Sequence, residues 1–270
     1  ETLNLDPATG KPLRFSTAIA GPNREDWITA DVVELTKLVH ETGTIKPVHS
    51  PSQKPTYYNR VVKEKMKADA TVSRRVRGTA GGDRIDFPYS VSSSTASMTC
   101  FKMLLNDTVS SNSNLASADC SDFYLGAELP DPQSIKIYCD TFDSTTLDEL
   151  GFTPYIKTEP SGKTYVYCDI VRTMYGLGAS GLLSQLRLLA QLYAFDFIQT
   201  ETPCLFRHRT RDVTFALVVD DFIIRYKEVD DLRHFTTCLS ELFHIKVYPE
   251  CTSFLGFTIE YRYDRVARTI

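Results

Sequence analysis

Asp220 and Asp221 stand side by side between Phe215-Ala216-Leu217-Val218-Val219 and Phe222-Ile223-Ile224, and nothing else in the chain restricts its fold so tightly. Apolar runs of this length, rich in β-branched and aromatic residues, read as strands, which puts the two acids at the tip of a hairpin. Adjacent anions flanked by buried strands repel each other and lose hydration. Such a pair persists where something positive, most often a divalent metal, occupies the site. Standing alone, the pair would be read first as a solvated Asp-Asp turn.

It does not stand alone. Upstream, Leu115-Ala116-Ser117-Ala118 reads as a small-residue strand ending in a third carboxylate, Asp119, with the aromatic Tyr124 five positions later and Gly126 beyond it. Between the two acidic sites, Met174-Tyr175-Gly176-Leu177-Gly178-Ala179 opens a helix carrying Leu182, Leu183, Leu186, Leu189 and Tyr193. In order, spacing and local sequence these motifs resemble the reverse transcriptase domain of copia-type LTR retrotransposons. Asp119 to Gly126 is similar to that family's first metal-binding motif, Met174 to Ala179 to its Leu-Tyr-Gly-Leu-Lys/Pro-Gln motif, and Val218 to Asp221 to its Tyr-Val-Asp-Asp box. Further matches extend along the chain: Trp27-Ile28-Thr29-Ala30 with Glu34, Arg75-Val76-Arg77 with Gly82, Cys204-Leu205-Phe206, and Phe254-Leu255-Gly256, which resembles the primer grip.

The resemblance implies an α+β fold, a polymerase-like palm of antiparallel sheet backed by helices, with a fingers subdomain and the thumb largely missing. It divides the chain into an irregular lead-in over 1–23, a fingers-like region with the start of the palm over 24–114, and the palm with its catalytic hairpin and primer-grip-like element over 115–270. It also implies RNA-directed DNA polymerase activity, with Asp119, Asp220 and Asp221 as catalytic residues and as ligands of two Mg2+ ions, Mn2+ being the alternative. Tyr124 is then the aromatic beneath the incoming sugar that excludes a 2′-hydroxyl. Arg75 and Arg77, two apart on a strand and so on one face, could grip a triphosphate with guanidinium forks. Lys246 could protonate or neutralise departing pyrophosphate. Implied partners are an RNA template, a DNA primer, dNTPs, and the ribonuclease H and integrase domains of a polyprotein; a fragment of such a polyprotein also fits a chain opening on Glu1. Asp122, an acid where the family has none, is expected to face solvent.

Two departures from the family pattern carry consequences. Val218 replaces the box tyrosine but keeps a strand-forming residue. Ala179 replaces the motif glutamine at the nucleotide-binding site, and a methyl group cannot reproduce an amide's hydrogen bonds, so fidelity, nucleotide affinity or activity should suffer. A catalytically decayed, retroelement-derived nucleic-acid-binding protein is therefore the alternative. A magnesium-dependent phosphohydrolase would use the same acids but lacks a recognisable base or nucleophile motif.

Charge supports a nucleic-acid partner only locally. The chain carries −4 overall, yet Arg60 to Arg84 carries +5, leaving −9 for the remainder. That asymmetry is the footprint expected of a localised phosphate-binding surface. No apolar stretch approaches the roughly 18 residues needed to span a bilayer, so no membrane partner is expected. Seven cysteines without a CxxC pair fit a reduced compartment; the resemblance adds an intracellular setting, a cytoplasmic virus-like particle with the nucleus as second location. Five scattered histidines show no zinc spacing.

Periodicity predicts a helix from Ile28 through Val39, a loop over Pro47 to Pro55, and a hairpin of Tyr57 to Met66 with Ser73 to Thr79. A helix marked by Met98, Phe101, Leu105 and Val109 follows, capped by one of Ser92 to Thr95. Beyond the Asp119 strand come a strand over Ile135 to Cys139, a short helix near Ser144 to Leu150, and a strand over Thr164 to Ile170. The last predicted elements are a helix from Ser180 to Phe197, strands over Leu205 to Val219 and Phe222 to Tyr226, and a helix over Asp230 to Phe243.

Overall fold

The computed structural model describes residue 10 and residues 12–66, 71–89 and 91–260. In chain order its helices are α1 (Phe15–Ala18), α2 (Arg24–Thr36), α3 (Met98–Ser110), α4 (Ser144–Glu149), α5 (Ser180–Ala194) and α6 (Val229–Ser240). The strands are β1 (Ile45–Val48), β2 (Thr56–Met66), β3 (Val72–Ala80), β4 (Asn114–Ser121), β5 (Glu128–Tyr138), β6 (Lys157–Thr158) and β7 (Thr164–Arg172). They continue with β8 (Phe197–Gln199), β9 (Leu205–His208), β10 (Val213–Val218), β11 (Asp221–Tyr226), β12 (His244–Tyr248), β13 (Ser253–Phe254) and β14 (Phe257–Thr258).

The chain forms two units, each discontinuous: one of Glu1–Val91 with Tyr124–Leu183, the other of Ser92–Phe123 with Ser184–Ile270. The sequence predicts contiguous segments with boundaries after 23 and after 114. Strand pairing explains the difference, because β5 and β7 join β1, β2 and β3 in the order β1-β7-β5-β2-β3, with β6 beside β7. That pairing returns residues 124–183 to the N-terminal unit.

In this N-terminal unit, alternate residues of β5 and β7 (Ile135, Ile137, Val166, Cys168, Ile170) point inward against Leu35, Leu38, Phe152 and Met174. The helix predicted around Ile28 to Val39 is present, its last turn widened to a π-helix over Lys37–Glu41. It holds β3 and β2 through polar contacts: Glu34 accepts the Gly78 amide at 3.0 Å, and buried Asp31 accepts from Arg60 at 2.6 Å. Burial raises the Asp31 pKa despite the opposing Arg60 charge, so this pair is a costly anchor rather than a large net source of stability. The expected loop over 47–55 loses Pro47 and Val48 to β1, which pairs with β7.

The second unit is a sheet in the order β12-β4-β11-β10-β9-β8. Phe206 and Phe215 stack at 5.0 Å, and Phe235 of α6 lies 4.8 Å from Phe215 and 5.6 Å from Phe222. These buried rings fix α6 on one face of the sheet.

Three boundaries differ from expectation. The buried side of α3 is Cys100, Phe101, Leu104 and Thr108, whereas Met98 and Val109 are exposed. The stripe is rotated because small Cys100 and Thr108 pack inward, Thr108 bonding the Leu104 carbonyl at 2.7 Å; the cap is Ser97, which accepts the Cys100 amide. Helix α5 stops at Ala194, since Asp196 turns to φ 61 and sends Phe197 into β8. The single strand expected over 205–219 is two, β9 and β10. Between them the His208 Nδ1 accepts the amides of Thr210 and Arg211 at 3.1 and 3.0 Å and closes the turn.

Candidate active site

The acid pair lies where the hairpin reading put it. Val218 and Asp221 face each other across β10 and β11, leaving Val219-Asp220 as a two-residue turn. Val219 adopts φ 63. A β-branched residue is a genuine outlier there, costing of order 1–3 kcal/mol, and backbone strain of this kind clusters at functional sites.

Tertiary pairing then supplies two neighbours. Asp221 is in register with Asp119 on β4, and Asp119 is in register with Lys246 on β12. Directly opposed residues share a face of a sheet, so Asp221, Asp119 and Lys246 form one row across three strands. Asp220 sits beside the row, its carbonyl accepting the Cys120 amide at 3.2 Å. Lys246 is exposed, with its ammonium 4.9 Å from the centre of the Tyr248 ring on the same strand. The alternation His244-Ile245-Lys246-Val247-Tyr248 was the sequence signal for β12, and it was missed.

The electrostatics show crowded negative charge. Asp221 has its pKa raised to about 6, by burial first and then by Asp220 and Asp119. The neighbouring Cys120 thiol is pushed up to about 12, again by burial and then by the three acids. Among the described residues, no group of three or more His, Cys, Asp or Glu side chains is placed so that it could hold a metal ion. The three carboxylates nonetheless belong to one sheet end by strand register and by their mutual repulsion, and carboxylate oxygens are the donors a hard divalent cation takes. Asp122, expected in solvent, is half-buried at φ 56.

The remaining predicted residues lie in the N-terminal unit. Arg75 is exposed on β3, and Arg77, two residues on and half-buried, shares its face. The Arg77 guanidinium lies 4.1 Å over the Tyr175 ring, and Tyr175 meets Tyr124 edge-on at 5.7 Å. The structure thus joins Arg77 and Tyr124 through a tyrosine that sequence reasoning quoted only as part of a motif. Two glycines permit the arrangement. The Tyr175 carbonyl accepts the Ala80 amide at 2.8 Å. Gly176 takes φ 92, where an added Cβ would lie 2.1 Å from the Ala80 oxygen, and a Cβ on Gly82 would lie 2.0 Å from the Gly176 oxygen.

Ala179, expected at the nucleotide-binding site, is fully buried. Its carbonyl accepts the Leu183 amide at 3.0 Å in the first turn of α5. The basic segment also presents less free charge than its composition implies. Arg60 is committed to Asp31, and Arg74 is bound to Asp26 at 2.6 Å and Glu64 at 2.9 Å. Lys63 and Arg75 are direct cross-strand partners on the outer face. The primer-grip-like Phe254-Leu255-Gly256 forms a tight hairpin, with Leu255 and Gly256 both at positive φ and Phe254 stacked on Phe101 at 5.5 Å.

Scanned against protein-family models the chain matches none, and no curated protein sequence matches it. Among solved structures it resembles an apo telomerase from Candida tropicalis truncated from its C-terminal domain, at 12% identity and a TM-score of 0.40, over 85% of this chain and 56% of that one. It also resembles a foamy viral protease-reverse transcriptase in complex with double-stranded DNA, at 14% identity and a TM-score of 0.38, over 82% of this chain and 32% of that one. The chain thus spans little more than half of the first and a third of the second. Both are loose likenesses.

Proposed function

We propose that the chain is the polymerase portion of a copia-like reverse transcriptase, extending a DNA primer on an RNA template. The observation that carries this reading is the cross-strand row Asp221–Asp119–Lys246, with Asp220 on the strained turn beside it. Asp119, Asp220 and Asp221 would hold divalent cations, magnesium or manganese, which supply Lewis acidity toward the primer 3′-hydroxyl and the α-phosphate.

In the reaction, the primer 3′-hydroxyl loses its proton to solvent as its oxygen forms a bond to the α-phosphorus of a dNTP, while the bond from that phosphorus to pyrophosphate breaks. Lys246 lies in line with the acids and is suited to meet the charge developing on pyrophosphate. Arg75 and Arg77 would orient the triphosphate, and Tyr124, braced edge-on by Tyr175, would exclude a ribose 2′-hydroxyl. The reading includes ribonuclease H and integrase domains as partners in a polyprotein and an intracellular site of action.

Primer extension on an RNA template with magnesium or manganese tests it. Extension should fall by at least about a hundredfold in Asp119→Asn. Extension that survives this change undiminished would refute the assignment. Ala179, whose methyl group supplies none of the hydrogen bonds of the glutamine in the family pattern, favours a second reading, a decayed copy that binds nucleic acid without extending it. Retained duplex binding with no extension by the wild type would select it.

A further inference from the structure

The outer face of the N-terminal sheet carries a grid of tyrosines and lysines that the polymerase reading does not use. Strand register builds it. Tyr165 on β7 has Tyr138 of β5 on one side and Lys157 of β6 on the other, and in the next row Tyr167 is opposite Lys136. The inward residues of the same strands, Val166, Cys168, Ile135 and Ile137, are fully buried, so the alternation sends every ring and ammonium of the grid to one side.

The rings and cations interleave closely. Tyr165 meets Tyr167 at 5.2 Å and Tyr138 at 6.3 Å, both edge-on. Lys136 lies 3.8 Å over Tyr165, Lys157 5.4 Å over Tyr167, and Lys163 5.7 Å over Tyr138. Tyr138 is 39% exposed, and the other two rings are half-buried. Glu159 neutralises Lys136, and the Tyr138 hydroxyl also donates to Glu159 at 2.8 Å. Lys136, Lys157 and Lys163, with Lys54 and Arg84 further along, outnumber the acids of this face, Glu159, Asp169 and Asp83, the last of which accepts from the Tyr57 hydroxyl at 2.7 Å. The face continues past Lys136 to Tyr57 of β2, its cross-strand partner. Arg84 stacks at 4.8 Å over Tyr57 and lines a cleft of about 390 Å³ with Lys54 and Pro55.

We propose that this face is a platform for single-stranded nucleic acid, with bases stacked on the tyrosines and phosphates held by the lysines and Arg84. Charge complementarity selects the partner: a cationic sheet face that carries a row of partly exposed tyrosine rings matches a strand whose bases are unstacked and whose backbone is anionic. A duplex keeps its bases stacked on one another and could use only the charges. The platform belongs wholly to the N-terminal unit and stands whether or not the carboxylates of the other unit catalyse.

Fluorescence anisotropy with labelled oligouridylate of about 12 nucleotides, in EDTA so that no metal-dependent step contributes, tests the proposal on the whole chain. The double variant Tyr165→Ala/Tyr167→Ala should bind at least about tenfold more weakly, Tyr165→Phe/Tyr167→Phe within about threefold of wild type, and Tyr193→Ala on α5 unchanged. Blunt duplex should compete poorly. No binding by the wild type, full affinity in a folded alanine variant, or duplex competing as well as single strand would each overturn it. Should the alanine pair fail to fold, Lys163→Glu at an exposed position should still weaken binding and flatten its salt dependence; unchanged affinity there refutes the platform equally. Primer extension plays no part in these measurements, so failure of the polymerase assignment remains separately visible.

Discussion

Replacing Asp221 by Asn should stabilise the protein while abolishing the activity proposed for it. In the folded chain the Asp221 pKa stands at about 6, against 3.8 for the free side chain, because burial and the neighbouring Asp220 and Asp119 charges oppose its ionisation. Below pH 3.8 the group is protonated in both folded and unfolded states and costs nothing; as pH rises through about 6 the folded state must ionise it at a penalty the unfolded chain avoids. Two pKa units correspond to ~3 kcal/mol. The carboxylate is only partly buried, and solvent screening reduces the usable figure to ~1–1.5 kcal/mol. Asn removes the charge at nearly constant volume, so at about pH 8 without metal its melting temperature should rise by ~3–5 °C. Near pH 4 the difference should vanish. Added magnesium should raise the wild-type melting temperature and affect the Asp221→Asn variant less, since a bound cation offsets the same repulsion. Differential scanning calorimetry across that pH range decides the matter. A gain independent of pH would mean packing rather than charge is responsible, and a loss of stability at pH 8 would refute the electrostatic account altogether.

Charge reversal at Arg75 or Arg77 should weaken dNTP or duplex binding by about tenfold or more, with a smaller effect at Lys102, an exposed lysine of α3; equal losses in titration would reduce the arginines to a solvated face. Tyr124→Ala should raise ribonucleotide over deoxyribonucleotide incorporation, and Tyr124→Phe should not; because the ring is half-buried, its removal should cost less than the ~3–5 kcal/mol of a core aromatic. An unchanged incorporation ratio in a folded, extending alanine variant would discard the gate. His208 has its pKa lowered, by burial first and then by His234 and Arg211. Its Nδ1 must stay unprotonated to accept two amides, so the stability it contributes is present above pH 6.5 and lost as pH falls through its lowered folded value. His208→Gln should flatten that part of the pH–stability curve measured by urea denaturation.

The sequence by itself determined the local structure around the acids. Two apolar β-branched runs separated by two residues can form little but a hairpin, and small residues before Asp119 can form little but a packed strand; both follow from periodicity of two and burial. The helices over 24–36, 98–110 and 229–240 were legible for the corresponding reason at a period of 3.6. Pairing between distant strands was not legible, because register depends on which faces meet after the chain has folded. Only tertiary structure opposed Asp119 to Asp221 and Lys246, returned 124–183 to the N-terminal unit, and set Tyr175 between Arg77 and Tyr124. Burial was equally hidden where side chains are small. Ala179 reads in sequence as a truncated ligand contact and in the structure is a fully buried methyl group, while Arg60 and Arg74 read as surface charge until Asp31, Asp26 and Glu64 are seen to hold them. A residue's type fixes the chemistry available to it, but its neighbours across the sheet decide whether that chemistry faces a ligand, a counter-ion or the core.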